Sequence, residues 1–170
     1  MDQSVINFAV YEDGVEFYGL ASVQMPTLSN MTQTLTGAGV SGEIEEVVLG
    51  HQSAMTVTLN FRTTTPAAIR LSEPRRHVLD LRIANEEEDQ VENTITVPPE
   101  KHVMVVIPKT HNVGQIAIGQ PTNASGEYAV RYWATWLDGV KVREIDPMNM
   151  KYEVNGVDYL ADVRAAIGMS

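Results

Sequence analysis

The chain has 170 residues, of which 44% are hydrophobic and 20% charged, and its 22 acidic and 12 basic side chains leave a net charge of −10. This length and composition suit one globular domain with a core of its own and exclude a disordered or collagen-like chain. Cysteine is absent, which excludes a disulfide scaffold, a thiolate metal site and a cysteine nucleophile.

Period-two alternation with turn residues between predicts antiparallel strands along most of the chain. Val5 to Tyr11 is the first, and Asp13-Gly14 reads as a hairpin turn into a second strand over 15–24 that Pro26 ends. Residues 27–42 are rich in Thr, Ser, Asn and Gly and read as an extended loop. A strand is expected over 44–49, and Met55, Val57, Leu59 and Phe61 alternate with polar residues as a strand buried on one face. Pro66 opens one or two helical turns reaching Glu73. Val78 to Ala84 alternates again, and Glu86 to Asp89 reads as a solvated loop. Further strands are expected over 93–97, 102–107, 115–118 and 127–137. Asp138-Gly139 turns the last of these into 140–145, and a final strand covers 148–154. The period then changes, and 157–168 reads as an amphipathic C-terminal helix. The fold class is mainly β: two packed antiparallel sheets forming a sandwich or barrel, with one short internal helix and a C-terminal helix.

Charge is distributed unevenly. Residues 1–61 hold seven acids and no Lys or Arg, an asymmetry suited either to solubility or to pairing acidic and basic faces of neighbouring copies. So acidic a chain is not expected to bind nucleic acid by counterion release. No apolar run approaches the roughly 20 residues of a membrane helix, and Met1 to Ser4 does not open a secretory leader. The expectation is a soluble product of a cytoplasm.

Catalytic signatures are missing. Gly37-Ala38-Gly39-Val40-Ser41-Gly42 satisfies G-x-G-x-x-G, but no βαβ context surrounds it, so it reads as a tightly turned loop. His51, His77, His102 and His111 share no ligand spacing and are expected to be scattered on the surface or half-buried. Ser41 sits in no nucleophile elbow. Trp133 and Trp136, three apart in one strand, face opposite ways, one toward the core. A domain rich in strand edges and without an active-site signature points to self-assembly.

Both ends of the chain carry a recognisable pattern. Near the start come Glu12-Asp13-Gly14, Tyr18-Gly19, Met25-Pro26, and the loop from Gly37 to Gly42 followed by Glu43. Near the end come Glu144-Ile145-Asp146, Asn149-Met150, Val154-Asn155-Gly156-Val157-Asp158, then a short helix and Ile167-Gly168. This pattern resembles the major tail tube proteins of contractile bacteriophage tails, over roughly 6–62 and 128–168. The resemblance implies a structural protein, not an enzyme, without cofactor or metal. It implies stacked hexameric rings forming a rigid inner tube, driven through a target envelope when the sheath contracts. The implied partners are further copies of the chain, the surrounding sheath protein, a baseplate or tube initiator, and a tape-measure protein in the lumen. DNA is implied only as passing cargo, and no membrane anchor is implied. Such a protein is made in the bacterial cytoplasm and ends in a virion tail or a released phage-derived bacteriocin (tailocin). The tube protein of a type VI-like secretion system is the alternative.

Two contacts are expected on this reading. Thr36, Gly37, Ala38, Gly39, Val40, Ser41, Gly42 and Glu43 form an inter-subunit loop. Arg70, Arg75 and Arg76 form the basic side of a ring contact whose acidic side includes Glu43, Glu45 and Glu46. Glu144, Asp146, Asn149, Asn155, Gly156 and Asp158 are the C-terminal residues that carry the resemblance.

Overall fold

A computed structural model describes residues 3–12, 15–16 and 20–169. In chain order the elements are β1 (Gln3–Glu12), β2 (Val15–Glu16), β3 (Leu20–Gln24), β4 (Asn30–Leu35), β5 (Ile44–Gln52), β6 (Met55–Phe61) and α1 (Pro66–Arg70). They continue as β7 (His77–Asp89), β8 (Thr94–Thr96), β9 (Pro99–Asn112), β10 (Ser125–Leu137) and β11 (Val140–Asp146). A 3₁₀ turn (Pro147–Asn149), β12 (Lys151–Val154), β13 (Val157–Asp158) and α2 (Ala161–Ala166) complete the chain.

The fold is mainly β, with antiparallel sheets arranged as a sandwich and two short helices. The large sheet runs β13-β12-β11-β10-β9-β7-β1-β2 and, among the described residues, does not close into a barrel. It forks at β10. Ser125 to Val130 pair with β6, which in turn pairs with β3, whereas Trp133 to Leu137 pair with β11. Both halves of β10 share β9 on the other side. Strands β4 and β5 form a separate two-stranded sheet.

Alternation decides which side chains meet. Along β6 every second residue is buried, as its pattern requires. Across the large sheet one inward row joins Leu79, Met104, Trp133 and Ile145 on adjacent strands. Val57, Leu59 and Phe61 of β6 join the same buried cluster, and Ala68 and Leu71 cover it from α1. Each fully buried Val, Leu, Ile, Phe or Met among them contributes about 1.5–3 kcal/mol. α1 starts where it does because Thr65 Oγ1 accepts from Ala68 N at 3.2 Å and Pro66 fits the first turn.

Several expectations need correction. The segment over 15–24 is not one strand: Glu12 pairs with Val15, but Leu20 to Gln24 leaves β1 and pairs with β6. The turn residues Asp13 and Gly14 lie outside the described residues, as do 17–19. Much of 27–42 is strand β4 rather than loop. Glu86 to Asp89 extends β7, because Gln3 and Ser4 pair with Glu87 and Glu86, and β8 pairs with 87–89. Residues 115–118 form no strand, and Ile116 and Ile118 are 94% and 104% exposed. The C-terminal helix is shorter than 157–168. Asn155-Gly156 (φ 52° and 82°) turns Val157 and Asp158 back onto Val154 and Glu153, so the helix starts only at Ala161.

Candidate assembly surface

The β4–β5 hairpin is an arm several of whose apolar side chains stay exposed among the described residues. All six β4 residues are exposed. In the register Leu35 faces Ile44, Gln33 faces Glu46, Thr34 faces Glu45 and Thr32 faces Val47. Each face of the ribbon therefore carries an acid beside exposed apolar groups, with Ile44, Val47 and Leu49 each more than half exposed. Thr36 to Glu43 is its tip, turned by Val40 N donating to Gly37 O at 3.2 Å. Gly39 at φ 94° adopts a backbone that L side chains rarely adopt. The G-x-G-x-x-G stretch is thus the end of a ribbon, with no helix after it to hold a phosphate.

The C-terminal segment forms the footing of this arm. Leu160 is 4% exposed. A β-carbon on Gly50 (φ 67°) would stand 2.6 Å from Leu160 Cδ2. Asp158 fixes Leu160: its Oδ1 accepts from Leu160 N at 3.1 Å and its Oδ2 from Arg164 at 2.6 Å, while Arg164 also donates to Met150 O at 2.8 Å. The Arg164 bond holds the Asp158 carboxyl below its ordinary range. Asp146 caps the 3₁₀ turn by accepting from Asn149 N and Nδ2 at 3.3 and 2.6 Å. Glu144 is buried against Lys141 and Lys151, the latter at 3.1 Å. The C-terminal residues singled out in the sequence are therefore the caps, turn and ion pairs of one hook.

The three arginines differ in their in-chain partners. Arg75 lies 3.0 Å and Arg70 3.6 Å from the buried carboxylate of Glu12 in the same chain. Arg75 also meets Glu73 at 2.8 Å, a bond that lowers the Glu73 pKa and raises that of Arg75. Arg76 is exposed and makes no ion pair among the described residues. Glu43, Glu45 and Glu46 lie on the hairpin, where Glu46 accepts from Gln33 at 3.1 Å.

Two histidines are buried, contrary to expectation. His77 is 0% exposed and places Nδ1 2.5 Å from Glu12 Oε1 and Nε2 2.9 Å from Glu73 O. His102 accepts from the Trp133 indole N–H at 3.0 Å and meets Glu100 at 2.6 Å. The signal was their parity: His77 shares the inward set of Leu79 and Leu81, and His102 that of Met104 and Val106. His51 and His111 are exposed. Tyr128 is buried with no partner for its hydroxyl in the structure, and burial pushes its pKa up to about 12.

The outward face carries a second feature that the sequence did not reveal. One register row crosses five strands: Ala9, Arg82, Lys101, Trp136 and Lys141. Lys101 Nζ lies 5.2 Å and Lys141 Nζ 5.9 Å from the Trp136 ring centroid, and Arg82 lies 5.2 Å from the Tyr11 ring centroid. Trp133 fills the core while Trp136 faces out, as their spacing requires.

The fold has a counterpart among solved structures. A chain of the sheath/tube terminator of an extracellular contractile injection system (PVC) superposes with a TM-score of 0.54 at 10% identity, covering 78% of this chain and 95% of that one. A chain of the anti-feeding prophage (AFP) baseplate gives a TM-score of 0.42 at 9% identity, covering 79% and 93%. The family model for phage tail tube protein FII matches residues 2–168, and the chain belongs to that family. The tail tube protein of Escherichia phage P2 is 26% identical over 164 residues, 94% of each chain. The protein is a structural tail tube protein of the phage type.

Proposed function

We propose that this protein self-assembles into stacked hexameric rings, the rigid inner tube of a contractile phage tail or tailocin, driven through the target envelope when the sheath contracts. The observation that carries this reading is the two-stranded arm with Ile44, Val47 and Leu49 uncovered. A second observation supports it. β1 is bordered by β7 on one side, and on the other β2 pairs only with Tyr11 and Glu12 among the described residues. Val5 and Ile6 on β1 are 60% and 53% exposed. An open strand edge and an apolar arm on one subunit suit a head-to-tail contact that closes by rotation.

On this reading the tip, Thr36 to Glu43, packs on a neighbouring subunit or ring, and the acidic hairpin meets a basic face there. Arg70, Arg75 and Arg76 are one candidate for that face, and among the described residues Arg76 makes no ion pair. The partners are further copies of the chain, the sheath protein, a baseplate initiator and the tape-measure protein. DNA is cargo. The mature form is a particle. Nothing in the fold favours a type VI origin over a phage one.

Negative-stain electron microscopy of the purified protein, alone and with purified baseplate, tests the reading. Six-fold rings or hollow tubes are expected. A monomer under every condition overturns it.

A further inference from the structure

We propose that the outward groove walled by Arg82, Lys101 and Trp136 is the seat of the acidic β4–β5 hairpin of a second copy. The proposal rests on the tube reading and names the basic partner face that reading requires.

The groove encloses about 660 Å³. Ala9, Ala84 and Gly139 line it too, as does Glu100, whose carboxylate is engaged by His102 at 2.6 Å and Asn85 at 3.0 Å. Its cations point outward and their counterions lie beneath them. Arg82 and Lys101 side chains are 61% and 42% exposed, whereas Asp80, 3.2 and 4.0 Å away, is 24% exposed. Lys141 is 34% exposed over Glu144 at 9%. An approaching surface therefore meets positive charge and an indole face, although the chain as a whole is strongly acidic.

The hairpin has the complementary chemistry. Glu45 and Glu46 are flanked by exposed Ile44 and Val47, and no Lys or Arg occurs in the first 61 residues to oppose the fit. A carboxylate against Lys101 and an aliphatic side chain against Trp136 would use both features of the groove at once. The hairpin's own footings, Tyr152, Val154 and Leu160, do not line the groove. The basic row is also better placed than the Arg70–Arg75 pair, which is engaged with buried Glu12.

The absence of cysteine allows a clean test. Single variants Glu45→Cys and Lys101→Cys are mixed, assembled and oxidised, with Glu45→Cys plus Arg76→Cys as the rival pair. The expected result is a covalent dimer from the first pair within tubes seen by microscopy, and none from the second. Lys101→Glu should raise the concentration needed for assembly at least tenfold, and Glu45→Lys added to it should restore assembly. Tubes that give no Glu45–Lys101 link, or link through Arg76 instead, overturn this proposal and leave the tube reading standing. Crosslinking of Lys101→Cys to sheath protein overturns it too. No ordered assembly of the unmodified protein overturns both.

Discussion

His77 Nδ1 stands 2.5 Å from Glu12 Oε1, and neither side chain has more than 2% of its surface exposed. The pair ties the start of β7 to the end of β1, and Arg70 and Arg75 bring α1 and its following turn to the same carboxylate. The other histidine nitrogen lies 2.9 Å from Glu73 O, so the ring is held from both sides. Glu12→Ala leaves that ring without its acceptor and should cost about 3–5 kcal/mol, read from urea denaturation. A loss under 1 kcal/mol would show that the cluster does not hold the fold.

The same geometry separates two neighbouring arginines. Arg75→Glu places a second carboxylate beside Glu12 and should lower the urea midpoint of the isolated subunit. Arg76→Glu should leave it within about 0.5 kcal/mol of the parent, as for ordinary surface changes. Equal effects of the two would contradict the pairing seen here.

Gly50 and Leu160 should be coupled. Gly50→Ala imposes a side chain on a left-handed backbone, about 1–2 kcal/mol, and drives a methyl into Leu160. Leu160→Ala alone should cost about 2–5 kcal/mol by cavity formation. The double variant should cost less than the two together, because the smaller side chain makes room. Strict additivity in a thermal-unfolding cycle would refute the contact.

Titration should show opposite signs at the two ends of the pH scale. The Asp158 pKa is depressed by Arg164, so the stability this pair contributes is present above the ordinary Asp range of about 3.9 and is lost as pH falls through the lower folded value. The stability gap between the parent and Asp158→Asn should close in strong acid. Tyr128 is raised to about 12, so its neutral form is favoured in the fold. Stability should fall as pH rises from about 10 toward that value. Tyr128→Phe should remove this alkaline loss and, having no unpartnered buried hydroxyl, should be at least as stable at neutral pH.

What could be read in the sequence was what alternation and turn chemistry encode locally. β6 was legible because its buried and polar positions alternate without a break. So were the Asp138-Gly139 turn and the α1 start at Pro66. The misses have one cause: pairing with distant strands. Glu86 to Asp89 looks solvated until Gln3, Ser4 and β8 are seen to bond to it. Thr32 to Leu35 lacks apolar alternation, and its strand exists through its register with 44–47. Ile116 and Ile118 have strand-forming side chains but pair with no strand among the described residues. The row from Ala9 to Lys141 draws one residue from each of five strands, so no local motif announces it. The C-terminal hook was visible as a pattern, but its task of seating Leu160 beneath Gly50 was not.

The fork at β10 has a consequence during synthesis. β6 and β9 both lean on a strand that begins at Ser125, and β1 waits for β7. A ribosome must therefore emit about three-quarters of the polypeptide before the main sheet can join its two branches. Until then the edges of β6 and β9 stay open to other nascent chains. Once Leu137 emerges, β11, β12 and β13 follow by short turns and add in sequence. Slow translation just before β10 should therefore favour aggregation, whereas a pause after β13 should be harmless.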